Sequence, residues 1–439
     1  MKKFAHMNCK SHPLRTALYD ELHVRPFHIV STPQQISHLA FHAQRQEQEK
    51  AFELLCDLCH RYNIHLPHPK TAGFLEDFGG FFLQWERHGG FYSITIMQPC
   101  EPEGEHPAFE HPAIELLPAD WLSEQPGEVV AAFHIAVVDK KFPVVGGALC
   151  RYFEGHQVSI SETLQGKASL YTAFRLHGDG FGRFIVRNQG MPDEQMGRLT
   201  RRLTEMETYR LLAMLALPLA KQIAPQLTDM DRRLAHILSD LTEISGIEGE
   251  RELLAKLSQQ EARLETWRAK TNHRFSGAKA YHEMVQDRLS RISEKKIPGY
   301  TTLGEFLRRR LDPALRTCSS VHVSMEDLSK RIERASDLLR TRINLTLQEQ
   351  NRALLATMNR RSRLQFRLQE TVEGLSVVAI SYYLVGLIKY LLEGMPLKQW
   401  GLSKGALLAA SIPLVLGVVL WLTRRIKHRL IKQPEYELE

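Results

Sequence analysis

The chain has 439 residues, long enough for two or more domains that bury their own cores without disulfides or metals. Its 24% of charged residues and mean hydropathy of -0.27 describe a mainly water-facing protein, so any membrane segment is confined to a small part of it. Many of the basic residues behind the net charge of +7 crowd around apolar C-terminal segments, which points to an anionic lipid surface rather than nucleic acid, and six scattered cysteines exclude a disulfide scaffold.

Two lysines open the chain, but no apolar run of signal-peptide length precedes His12-Pro13, so the N-terminal part is expected to stay in the cytoplasm. Residues 1–190 mix helix and strand signals and hold most of the aromatic and Gly-Pro punctuation, the composition of an α+β or α/β domain. The spacing predicts an amphipathic helix over residues 32–62, ended at Pro67 and Pro69, then a β-hairpin from 81–86 and 91–97 around His88-Gly89-Gly90. Further strands are expected at 129–138, 142–153, 157–163, 168–177 and 183–187. A surface loop over 101–118 leads into a short helix near Trp121, and Asp179-Gly180 reads as a hairpin turn.

After Pro192 strand signals vanish and Leu, Arg, Glu and Ala dominate, so residues 191–323 read as a helical domain. Helices are expected over 198–216, with a kink at Pro218 and Pro225, over 229–270 with a break near Gly246, over 276–293, and over 303–310 after an Ile297-Pro298-Gly299 turn. Residues 324–373 form a long stalk helix. Its apolar stripe, Ile332, Ala335, Leu339, Ile343, Leu347, Leu354, Met358, Leu364, Leu368 and Val372, follows an eleven-residue rather than a heptad repeat, and the stalk is roughly 70 Å long. The stripe packs either within the monomer or, coiled-coil fashion, between subunits.

Residues 374–392 carry one charge, Lys389, and residues 405–422 none, each near the ~20 residues that cross a ~30 Å hydrocarbon core. They predict a two-helix transmembrane hairpin joined by a loop at 393–404. Arg363 and Arg367 precede the first span, and Arg424 and Arg425 open the basic tail at 423–439; the positive-inside rule then places both termini in the cytoplasm. Lys389 lies near the far end of its segment, where it can snorkel.

Chemical candidates are few. Cys56, Cys59 and His60 match a haem-attachment pattern, and Cys56 and Cys59 with His65 and His68 offer a zinc-type set, but Phe52, Leu55, Cys56 and Cys59 also form the stripe of a buried helix face. Asp20, Glu21, His23 and Arg25 gather acid, base and cation in one stretch, and Glu86 and His88 share a strand face; these six are the candidate polar cluster. With no nucleophile or metal set beside them, no catalytic residue, no enzyme activity and no cofactor is expected.

The stretches Pro13-Leu14-Arg15, Asp20 through Phe27, Trp85-Glu86-Arg87-His88, Phe174 through His177 with Asp179-Gly180-Phe181, Glu207-Thr208-Tyr209-Arg210 and Gln369 through Tyr383 resemble a bacterial family of unknown function described as membrane-anchored. The resemblance implies an inner-membrane location and no assigned chemistry. The layout is also similar, more distantly, to the CorA-like magnesium transporters, in which a Gly-Met-Asn signature ends the first span; here Gly394-Met395 follows Glu393 at that place and Pro396 replaces the asparagine. The expected architecture is thus an α+β cytoplasmic domain, an all-α long-helix stalk and a C-terminal two-helix transmembrane hairpin. The expected function is an anchored homo-oligomer of unassigned activity with a sensing or scaffolding domain, partnered by the lipid bilayer and not by nucleic acid. The alternative is a CorA-like channel for Mg2+ or another divalent cation, with Glu393, Gly394 and Met395 at the pore loop.

Overall fold

The computed structural model describes residues 12–15, 18–19, 28–69, 71–100, 108–144, 146–163, 166–244, 246–394 and 404–431. Contacts divide the chain into two units, one of Met1–Ile244 with Glu252–Ser336, the other of Ser245–Arg251 with Asp337–Glu439.

The first unit is built on a sheet of nine strands: β1 (Gln34–His42), β2 (Gly73–Asp77), β3 (Phe82–Arg87), β4 (Phe91–Pro99), β5 (Glu128–Val138), β6 (Ser159–Thr163), β7 (Ala168–Thr172), β8 (Gly182–Asn188) and β9 (Lys295–Lys296). Their order is β2-β3-β4-β1-β5-β8-β7-β6-β9, and every pair is antiparallel except β5 with β8. Two antiparallel halves therefore meet at one parallel junction, where His134 lies opposite Arg183. The hairpin expected around His88-Gly89-Gly90 is β3-β4.

Helices cover both faces. On one lie α1 (Arg45–Arg61) and α2 (Ala119–Ser123), where Leu55, Leu58 and Cys59 pack with Leu39, Phe41, Trp85, Tyr92 and Ile94. On the other lies α4 (Asp193–Met214), after the short α3 (Gly147–Tyr152). The Thr208 hydroxyl of α4 reaches His38 Nε2 of β1 at 3.0 Å. Close approach is enforced at Gly197, where a Cβ would stand 2.2 Å from the His28 carbonyl oxygen.

Several expected elements are corrected. Residues 34–42 are not the start of a helix but the central strand β1, because both edges of this segment pair, with β4 and β5, and both of its faces are buried. Residues 142–153 contain α3 instead of a strand. The strand expected to reach His177 stops at Thr172, since Phe174 takes a left-handed φ of 50°. Strand β2, unpredicted, pairs with β3, and β9 returns from the helical region to pair with β6.

Beyond α4 run α5 (Ala216–Glu243), α6 (Ile247–Ile292) and α7 (Leu303–Gly394), followed by α8 (Lys404–Ile431). The break expected near Gly246 falls between Glu243 and Ile247, but the helices expected to part between 270 and 276 do not, and α6 continues unbroken to Ile292. No break separates 303–310 from the stalk either, because Pro313 sits inside α7 without ending it. The start of α7 is fixed by a reciprocal cap: Thr302 Oγ1 accepts the Glu305 N–H at 3.1 Å, and Glu305 Oε2 accepts the Thr302 N–H at 3.3 Å. The Glu294 carboxylate accepts the Gly304 N–H at 2.9 Å and the Ser161 hydroxyl of β6 at 3.0 Å, tying helix start to sheet edge.

Along α7 the stripe is buried through Ile332, Ala335, Leu339 and Ile343, whereas Leu354, Met358, Leu364, Leu368 and Val372 are exposed. In the second unit, Val377 of α7 packs with Val415 and Val419 of α8, supported by Val385 and Ile388. These two helices meet on that seam and leave most of their remaining apolar side chains bare.

Candidate functional site

Three places gather functional side chains. The first is the parallel junction of the sheet. His134 Nδ1 lies 2.8 Å from the Ser37 hydroxyl of β1, and Ser37 also accepts the Ile114 N–H at 3.1 Å. His134 stacks on Phe181, with centroids 4.2 Å apart. His177 Nδ1 lies 3.1 Å from the Phe181 carbonyl, which can only accept, so Nδ1 carries the proton and Nε2 keeps a lone pair. Arg183 completes the cluster: its guanidinium meets Asp179 at 2.7 Å and Glu154 at 3.3 Å, donates to the Tyr152 carbonyl at 2.8 Å and lies over the Phe109 ring. Gly180, at φ +80°, makes the turn that lets Asp179 reach back to Arg183.

Burial lowers the His134 pKa to about 4; Asp179 opposes this, while Arg183 and His177 add to it. Burial likewise lowers His177. Asp179 is held below its ordinary value: burial works the other way but is outweighed by hydrogen bonds from Arg183 and the Phe181 N–H. His134 Nε2, His177 Nε2 and Arg183 Nε are buried without a hydrogen-bond partner. The pairing of Ser37 with His134 has the first half of a nucleophile-base arrangement, yet Ser37 is fully buried and His134 Nε2 lacks the carboxylate that would orient it. The cluster ties the Phe174–Arg183 segment to the sheet. None of its members was a candidate from sequence, although Phe174 through Phe181 stood among the stretches that carried the family resemblance.

The second place is the opposite sheet face, where the candidate Glu86 lies. Glu86 receives Arg201 of α4 at 3.1 Å, Arg201 meets Glu205 at 3.0 Å, and Glu205 meets Arg288 of α6, so an alternating chain of charges links β3, α4 and α6. A cavity of about 40 Å³ beside it, lined in part by Gln84, Thr95, Thr200 and Thr204, has room for a water or two. His88 lies in the β3-β4 turn, stacked on Phe91 at 4.1 Å. Asp20, Glu21, His23 and Arg25 lie outside the described residues. One turn from Glu205, Glu207 and Arg210 form a bidentate pair at 2.6 and 2.7 Å, with Arg210 over the Phe174 ring. His38, bridged between Thr95 at 2.8 Å and Thr208, has its pKa lowered to about 3 by complete burial.

Cys59 is buried in the α1 core, where burial raises its thiol to about 11, and Cys56 is raised for the same reason. Among the described residues no group of three or more His, Cys, Asp or Glu is placed to hold a metal ion.

The third place is the apolar pair of helices. Among the described residues three helical stretches are long and apolar enough to cross a membrane: Asp193–Glu243, Leu303–Gly394 and Gly405–Ile426. They differ in burial. A third (33%) of the apolar window of Asp193–Glu243 is buried within the protein, against 11% for each of the other two. Arg363, Arg367, Lys389, Arg424 and Arg425 are exposed. Glu393 and Gly394 end α7, and Met395 lies outside the described residues.

A search among curated proteins finds no match to this chain. The profile of a family described as protein of unknown function, DUF3422, matches residues 10–430, from before the sheet to the end of the last helix. With nearly its whole length matched, the chain belongs to the DUF3422 family.

Proposed function

We propose that the protein is anchored in the bacterial inner membrane by a hairpin of the C-terminal part of α7 and α8, with the sheet-containing unit and both termini in the cytoplasm. One observation carries this reading. Among the described residues the apolar stretch of α7 packs on α8 along a narrow seam of Val377, Val415 and Val419 with Val385 and Ile388 beside it, while much of its remaining surface is bare: Leu375 is 74% exposed and Tyr382 78%. Water would tolerate such a surface poorly, whereas hydrocarbon would cover it, and helical backbone hydrogen bonding is complete within each segment. Trp421 and the flanking arginines suit the cytoplasmic interface.

The sheet unit acts as a sensing or scaffolding domain and not as an enzyme. The charges of Glu86, Arg201, Glu205 and Arg288 are consumed in internal pairs, and the cavity beside Glu86 and Arg201 is too small for an organic substrate. The exposed stripe from Leu354 to Val372 supports a homo-oligomer in which neighbouring copies cover it.

Membrane fractionation tests the anchor: the full chain should stay in the pellet after an alkaline carbonate wash, and release into the supernatant would refute it. Reporter fusions at the 393–404 loop and at the C-terminus should report opposite sides. Mass measurement in detergent tests the oligomer, and a monomer sinks that part. Cation flux in liposomes would replace scaffolding by the channel reading.

A further inference from the structure

We infer that the cytoplasmic end of the hairpin is a binding surface for the phosphate of anionic phospholipids, formed jointly by arginines of α7 and α8. The inference rests on the anchored reading above and adds the chemistry of the lipid partner.

The seam supplies the geometry. Val377, near the start of the first apolar stretch, packs with Val415 and Val419, near the end of the second. The residues just before the first stretch are therefore brought beside those just after the second. On α7 the nearest of these is Arg367, with Arg363, Arg361 and Arg360 up to about 10 Å further along the helix; on α8 they are Arg424 and Arg425. Arg360, Arg363 and Arg367 recur at i, i+3 and i+7 and so lie along one side of α7. All six are exposed, and among the described residues none forms an ion pair.

The part-buried arginines of the sheet-bearing unit, Arg183, Arg201, Arg210 and Arg288, by contrast each face carboxylates. Two carboxylates, Glu370 and Glu373, lie between Arg367 and the apolar stretch, so the six arginines keep a positive excess. Seven residues of helix separate Arg367 from residue 374, about 10 Å, and each headgroup layer is about 5–8 Å deep, so the guanidinium at Arg367 reaches the phosphate plane. Arg424 and Arg425 begin two residues past Leu422, and the Arg425 guanidinium lies 4.8 Å from the centroid of the Trp421 ring, an aromatic suited to the same depth. Guanidinium binds phosphate through paired N–H donors and stays charged at every working pH, which favours phosphate esters over zwitterionic headgroups whose own ammonium competes.

The test uses the full chain in neutral detergent, exchanged into bilayers of equal phosphatidylglycerol and phosphatidylcholine, with retained lipid quantified after repurification. The wild type should enrich phosphatidylglycerol, and rising salt should weaken the preference. A variant carrying R363Q, R367Q, R424Q and R425Q should lose at least about tenfold of the enrichment, since each arginine near an anionic surface contributes roughly fivefold. The matching four-lysine variant should keep most of it, which separates charge from misfolding. Equal retention of both lipids by the wild type, or an unchanged preference in the glutamine variant, overturns the inference, as does displacement of bound lipid by inorganic phosphate alone. The glutamine variant should remain carbonate-resistant; if the wild type itself is released by carbonate, it is the anchor that fails and not the lipid preference.

Discussion

Acidification from pH 7 to pH 5 should destabilise the sheet unit through its buried histidines. His38 and His134 are neutral when folded, with pKa values lowered by burial to about 3 and about 4, against about 6.5 in an unfolded chain. Between the folded and unfolded values the unfolded state binds more protons, so stability is full above about pH 6.5 and falls as pH drops through that window. At pH 5 each histidine has forfeited about 2 kcal/mol, and the two together about 4 kcal/mol, a large share of the ~5–15 kcal/mol that holds a domain folded. His28 and His177, also lowered by burial, act in the same direction. Asp179, held below its ordinary value, loses its contribution only at lower pH, so the window from pH 5 to 6.5 belongs to the histidines. The assay is urea unfolding of the full chain in a fixed detergent at both pH values, followed by fluorescence of the buried Trp85 and Trp121. The H38Q variant should start less stable at pH 7 but lose about half as much between the two. A midpoint that does not move with pH, or that moves equally in wild type and H38Q, refutes the reasoning.

Three further outcomes are expected in the same assay. Glu207 and Arg210 are 5% and 16% exposed at the side chain, so E207A strands a buried guanidinium and should cost about 3–5 kcal/mol, while E207A/R210M should be milder than E207A alone; equal losses would show that the charge pairing is not the cause. G197A places a methyl against the His28 carbonyl, a backbone atom that cannot rotate away; despite alanine's better helix propensity the net loss should be about 1–3 kcal/mol, and a stabilised variant would contradict the close approach. E294A removes the acceptor shared by Ser161, Thr302 and the Gly304 N–H, and should cost about 1–2 kcal/mol, with faster amide exchange at the start of α7 than in its middle.

The sequence carried some of this plainly. The β3-β4 hairpin was legible because alternating apolar residues flank a Gly-Gly turn, and the change to helix after Pro192 because the hydrophobic period changes with it. The apolar stretches at 374–392 and 405–422 were legible from composition alone. Strand β1 was not: Gln34–His42 is buried on both faces, so it lacks the alternation that marks a half-buried strand, and its residues merge with the amphipathic pattern of α1. For β2, five residues ending in Glu-Asp at a sheet edge give too short a pattern to register, and β9 has only two residues.

What the residues determined by themselves is therefore whatever depends on local period and composition: an α+β N-terminal part, long helices, and two apolar segments with basic borders. Tertiary structure alone decided which polar groups meet. His134 is 43 residues from His177 and 97 from Ser37, and Glu86 is 115 from Arg201; such pairs are set by strand order and helix placement. The tertiary fold also decided which apolar helices are covered. Asp193–Glu243 is apolar enough to span a bilayer yet shares in the core, whereas the last two helices, paired along a narrow valine seam, keep their outer faces bare because no other part of the described chain packs over them.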